Sequence, residues 1–128
     1  MRLVSTFLLL IFLANGPTFA QRTKKTDPCS RATSQADMNN CWGKEYKAAD
    51  VTLNQVYRQL VAILDEEEKA QLKEAQTAWL KYRDTNCDFV SGMYKGGSMR
   101  PMVHAICLAD VTRNRTAELR TQIKERNR

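Results

Sequence analysis

The sequence predicts an all-α fold, an antiparallel three-helix bundle of long helices with two disulfides at one end. Three observations carry that expectation. Apolar residues recur at alternating steps of three and four over most of the chain, with no strand-like alternation. Helix-start and chain-reversal signals divide the chain into three helical stretches. Four cysteines lie near the ends of those stretches, at positions a three-helix path would bring together.

The chain opens on an export signal. Arg2 supplies a positive start, and Val4 to Ala14 is mostly apolar but short for a bilayer crossing. Asn15, Gly16 and Pro17 break that run, and Thr18-Phe19-Ala20 offers small residues for cleavage. Residues 1–20 are therefore expected to be a signal peptide. Residues 21–28 (QRTKKTDP) have nothing apolar to bury and are expected to form a flexible basic tail. Residues 29–128 make a single helical domain. No cysteine directly follows the cut, so a lipid anchor there is not expected. The protein is expected to be periplasmic or secreted and not membrane-spanning.

The first helix should run from Gln35 to about Leu64. Ser34 is its expected N-cap, with Asp37 three residues on to bond back and complement the helix dipole. Trp42, Tyr46, Ala49, Leu53, Val56, Leu60 and Ile63 repeat at four-three spacing and predict its inward seam. Asp65 reads as the N-cap of the second helix, with Glu68 completing an Asp-x-x-Glu capping pair. The Glu66-Glu67-Glu68 run suits a first helical turn better than a metal site, because adjacent carboxylates on a helix point in different directions. This second helix should reach about Val90, with Leu72, Ala75, Trp79, Tyr82, Asn86 and Phe89 on its inward face. Arg83 is expected to pair with Asp50 or another carboxylate of the first helix, setting register between the two.

Gly96-Gly97 then reverses the chain, and Ser98 reads as the N-cap of a third helix from about Met99 to Ile123, with Pro101 tolerated in its first turn. Met102, Ile106, Ala109, Thr116, Leu119 and Ile123 are its expected inward face. Arg113, Arg115, Arg120, Lys124, Arg126 and Arg128 crowd its C-terminal half, where they complement the dipole.

An even cysteine count in a small exported chain reads as a disulfide framework. Cys87 and Cys107 lie equally far before and after Gly97, so an antiparallel hairpin sets them at one height. Cys29 is close enough along the chain to fold back onto Cys41. The expected pairs are Cys29–Cys41 and Cys87–Cys107. All four would share one end of the bundle, so the other two pairings stay open.

Little in the chain carries catalytic chemistry, and no enzyme activity, cofactor or metal is expected. The one histidine, His104, has no convergent partner ligands in sequence and reads as a surface or cap residue. Ser98 is the only serine near it, and the cysteines are expected to be oxidised. There is no Cys-x-x-Cys for thiol exchange. Trp79 and Tyr82 read as core aromatics, with an exposed aromatic binding stripe as the alternative. The candidate partner-binding loop is Tyr94, Lys95, Gly96, Gly97, Ser98 and Arg100, an aromatic and two cations on a reversal that two helix ends and a disulfide should hold. The net charge of +6 points to an anionic envelope component or an acidic cleft as partner, and export disfavours nucleic acid.

The motif series SQADMNNC, YKAADVTLNQVY, AQTAWLKYRDTNC, GGSMRP and VTRNRTAEL, threaded by the four cysteines, resembles the LprI-like family of small exported bacterial proteins, named for lysozyme inhibition. The resemblance covers nearly all of Cys29 to Leu119. It implies a helical, disulfide-linked domain, a bacterial envelope location and a lysozyme as possible partner. Unlike some members, this chain has no lipoprotein cysteine directly after the signal and no appended second domain in the sequence. No inhibitory residue is carried over from the family. The second functional reading is a non-catalytic envelope module that binds an anionic glycan or another protein through the basic half of the third helix.

Overall fold

A computed structural model describes residues 27–128, so the expected signal peptide and all but the last two residues of the basic tail lie outside the described residues. The chain forms three helices of equal length: α1 (Gln35–Val61), α2 (Glu66–Gly92) and α3 (Arg100–Arg126). At 1.5 Å per residue each is about 40 Å long. None is long and apolar enough to cross a membrane.

The helix starts follow local chemistry. Asp37 N donates to Ser34 Oγ at 3.1 Å, and Ser34 Oγ donates to Asp37 Oδ2 at 2.7 Å, closing the start of α1. Glu68 N donates to Asp65 Oδ1 at 2.8 Å and Asp65 N donates to Glu68 Oε2 at 3.3 Å, the reciprocal box expected for α2. The neighbouring acids are engaged as well, with Glu66 2.7 Å from Lys69 Nζ and Glu67 accepting from Gln71 Nε2 at 3.3 Å.

Two boundaries differ from expectation. α1 stops at Val61, and Ile63 N turns back to Leu60 O at 3.1 Å. That tight turn swings Ile63 out to 44% exposure and brings Leu64 into the core instead. At the other reversal, Met99 rather than Ser98 is the N-cap of α3, with no side-chain cap bond. The Ser98 carbonyl instead accepts from Asn39 Nδ2 of α1 at 3.1 Å.

α3 is the central helix. It packs closely along α1 and over a shorter length against α2, whereas α1 and α2 approach each other little. Its buried set is accordingly wider than one stripe: Ala105, Leu108, Ala109, Thr112, Thr116 and Leu119 are buried, with Met102, Ile106 and Ile123 half-buried. Leu53, Val56, Leu60, Leu64 and Leu119 form one apolar cluster, backed by Tyr57, Leu72, Trp79 and Ile123. Cys29, Trp42 and Ala105 form a second at the disulfide end. Sealing each of these leucines from water contributes about 1.5–3 kcal/mol.

Both disulfides match the expected pairing, Cys29–Cys41 and Cys87–Cys107, and no described cysteine is free.

The inward face of α2 is the main correction. Its buried residues are Gln76, Arg83, Cys87 and Ser91, joined by half-buried Leu72, Trp79 and Asn86. Ala75, Tyr82 and Phe89 point to solvent, Tyr82 at 57% and Phe89 at 82% exposure. The cause is rotational. Residues two apart on a helix lie about 200° apart around its axis. With Cys87 turned onto α3 by its disulfide, Phe89 must face outward.

Candidate partner-binding surface

The disulfide end is built by local turns. Tyr94 N donates to Ser91 O at 3.0 Å, Lys95 N to Gly92 O at 3.1 Å, and Gly97 N to Tyr94 O at 2.9 Å. Gly96 sits at φ +82°, in the left-handed region where a side chain is strained, so glycine is required there. A Cβ on Gly97 would meet the Tyr94 carbonyl oxygen at 3.3 Å. The Asn39 bond to Ser98 ties this turn to α1, and Cys87–Cys107 ties α2 to α3 one to two turns below.

The six residues expected to form the loop, Tyr94, Lys95, Gly96, Gly97, Ser98 and Arg100, are all exposed on that braced turn. Lys95 and Arg100 make no ion pair among the described residues. Arg100, Pro101, His104 and Asp88 line a shallow depression of about 200 Å³ beside it. His104 Nε2 lies 3.2 Å from Asp88 Oδ1, joining α3 to α2, and does not pair with Ser98.

Beneath this end lies a polar node. Arg83 is only 6% exposed. Its Nε donates to Asp84 Oδ1 at 2.8 Å and its Nη1 to Asp50 Oδ1 at 3.2 Å, the pairing the sequence suggested. The Tyr46 and Trp79 rings flank the guanidinium at 5.5 and 5.4 Å, a cation–π arrangement. Burial alone would lower the Arg83 pKa, but the hydrogen bond to Asp84, the negative charge of an ionised Tyr46, the Asp84 charge and the bond to Asp50 outweigh it, and the net shift is upward. Tyr46 is also pushed up, first by burial and then by Asp50 and Asp84, against the opposing pull of Arg83.

Sequence reasoning placed Tyr82 and Phe89 in the core, with an exposed aromatic stripe as the alternative for Tyr82, and gave Met93 no role. The structure exposes all three, Met93 at 85%. They are seven and four residues apart and share one face of α2 and its C-cap, Met93, over about 16 Å. Val90, Tyr94 and Met99 are exposed in the same part of the chain. The signal for this was present: Cys87 facing α3 and Phe89 in the core are mutually exclusive on one helix.

A sequence profile described as "Lysozyme inhibitor LprI" matches residues 26–119, which include all four cysteines, the whole of α1 and α2, and most of α3. The chain belongs to the LprI family. A relative from Rhizobium meliloti (strain 1021), an uncharacterized protein, is 38% identical over 133 aligned positions that cover 94% of each chain. No solved structure matches. The family match spans the braced turn and the exposed face of α2, and it ends at Leu119, before the last basic residues of α3. Membership in LprI and two disulfides point to an exported protein, since such bridges persist in oxidising compartments. LprI is by its description an inhibitor family, in keeping with a binding role and not a catalytic one.

Proposed function

We propose that the protein is an exported inhibitor that blocks a peptidoglycan-cleaving glycosidase of the lysozyme type. The observation that carries this reading is the LprI family match over residues 26–119. The disulfide-braced turn supports it, because a stiff exposed loop loses little freedom on binding. Glycosidases of this kind flank the scissile bond with a pair of carboxylates. Lys95 and Arg100, exposed and without ion pairs among the described residues, are suited to meet them.

The alternative is an envelope adaptor gripping an anionic glycan through the basic half of α3. It has less support, because Arg113 is 2.6 Å from Glu45, Arg115 is 2.9 Å from Glu118, and Arg126 is 3.4 Å from Glu68. Three of the six basic residues there are thus already paired, and Arg120, Lys124 and Arg128 make no ion pair among the described residues.

Clearing of a peptidoglycan suspension by lysozymes of several types, with the oxidised protein added in increasing amounts, tests the inhibitor reading. The expected outcome is loss of clearing for at least one type near equimolar protein. No loss for any type at large excess would reject it.

A further inference from the structure

The inhibitor reading leaves open which surface makes the contact. We infer that the exposed apolar stripe Tyr82–Phe89–Met93 of α2 is the principal contact surface, and that its occupant is the open sugar-binding cleft of the glycosidase. This inference rests on that reading.

Three observations select the stripe and its occupant. First, Phe89 and Met93 are large apolar side chains at 82% and 85% exposure, on one helix face together with Tyr82. The fold does not use them, and such a cluster marks an interaction site. Second, a helix face is a convex ridge about 16 Å long between Tyr82 and Met93, a shape that complements a concave groove. A groove that takes sugars in register offers apolar walls above an acidic floor. Third, three cations, Lys81, Lys95 and Arg100, lie beside or beyond the stripe with no ion pair among the described residues, whereas Asp84 is bonded to Arg83 and Asp88 lies 3.2 Å from His104. An acidic groove suits that surround. A second copy of this chain, at a net +6, would bring like charges together. Against an enzyme that is itself basic, net charge gives no long-range attraction, so apolar contact has to supply most of the affinity.

The test measures affinity for a lysozyme that the wild-type chain inhibits. The full oxidised chain is compared with Phe89→Ser/Met93→Ser and with Val51→Ser, an exposed apolar residue of α1. Each is titrated with and without a soluble N-acetylglucosamine oligomer that fills the cleft. The double variant is expected to bind about tenfold more weakly or worse, as loss of central apolar anchors does. Val51→Ser should bind as wild type, and the oligomer should compete with all three. If the double variant melts well below wild type, Tyr82→Ser is measured in its place. Undiminished binding by the stripe variants, or a complex that accepts the oligomer without displacement, would overturn the inference while leaving the inhibitor reading intact. A wild-type dimer that Phe89→Ser/Met93→Ser converts to monomer would also overturn it, assigning the stripe to a second copy. Failure of the wild type to bind any lysozyme would reject the reading itself and the inference with it.

Discussion

Cys87 and Phe89 stand two residues apart on α2 and face opposite ways. Cys87 is fully buried in its bridge to Cys107, and Phe89 is 82% exposed. One rotation of the helix sets both. It places a polar stripe, Gln76, Arg83, Cys87 and Ser91, against the rest of the bundle and turns an apolar one outward. A helix that buries polar groups and exposes a phenylalanine gives up some of the stability its composition allows. The structure recovers part of it through the disulfide and the Arg83 node.

The disulfide contribution is measurable. Non-reducing peptide mapping should recover Cys29–Cys41 and Cys87–Cys107 peptides and no free thiol. Replacing Cys87 and Cys107 together by Ser should cost about 2–4 kcal/mol and lower the melting temperature. Helical circular dichroism should largely survive, because the apolar cluster around Leu53 and Leu119 does not depend on that bridge. An unchanged melting temperature would show that the bridge constrains nothing the helices do not already hold.

Arg83 should behave as a joint between α1 and α2. Arg83→Met keeps most of the volume but leaves Asp50 and Asp84 without their cation. Both carboxylates are at least a third exposed and can regain water, so the expected loss is about 1–3 kcal/mol in denaturant unfolding. Arg83→Lys should restore little of it, since a lysine has no planar fork to reach two carboxylates between two rings. A lysine variant as stable as wild type would mean that charge alone, and not geometry, matters at this position.

Tyr46 gives a pH signature. Its hydroxyl loses its proton above the ordinary value of 10.0 in the folded chain, chiefly because burial disfavours the phenolate. A raised folded pKa means the native state holds the proton longer than the unfolded one. Its contribution to stability is therefore complete below pH 10.0 and is lost as pH rises through the folded value. The difference in unfolding free energy between wild type and Tyr46→Phe should be flat below pH 10.0 and shift against wild type above it. A difference that stays flat through the alkaline range would contradict the burial argument.

The loop cations can be separated from net charge. Lys95→Glu/Arg100→Glu should weaken lysozyme binding strongly at little cost to stability, because both side chains are exposed. The same charge change at Arg120 and Arg128, also exposed and toward the far end of the bundle, should leave binding nearly intact. Affinities at low and high salt decide between local contact and diffuse attraction. Equal losses for both pairs, erased by salt, would favour diffuse attraction.

The helices, the N-caps of α1 and α2 and the reversal were legible in the local sequence, whereas the Ser98 cap expected for α3 was not formed. Ser34 with Asp37, Asp65 with Glu68, and Gly96 each act within one turn of chain, so their consequences are readable from neighbours in sequence. The disulfide pairing was also legible, because a hairpin about Gly97 sets Cys87 and Cys107 at one height. Tertiary structure alone decided which face of α2 is buried and that α3 is the central helix. Apolar spacing at three and four steps marks several overlapping stripes on one helix, and the stripe through Phe89 was the more apolar. A helix can rotate about its axis without breaking a single backbone bond, so local chemistry does not select the angle. Contacts far apart in sequence select it: Cys87 to Cys107 and Arg83 to Asp50 turned α2 about its axis and left Phe89 and Met93 in solvent.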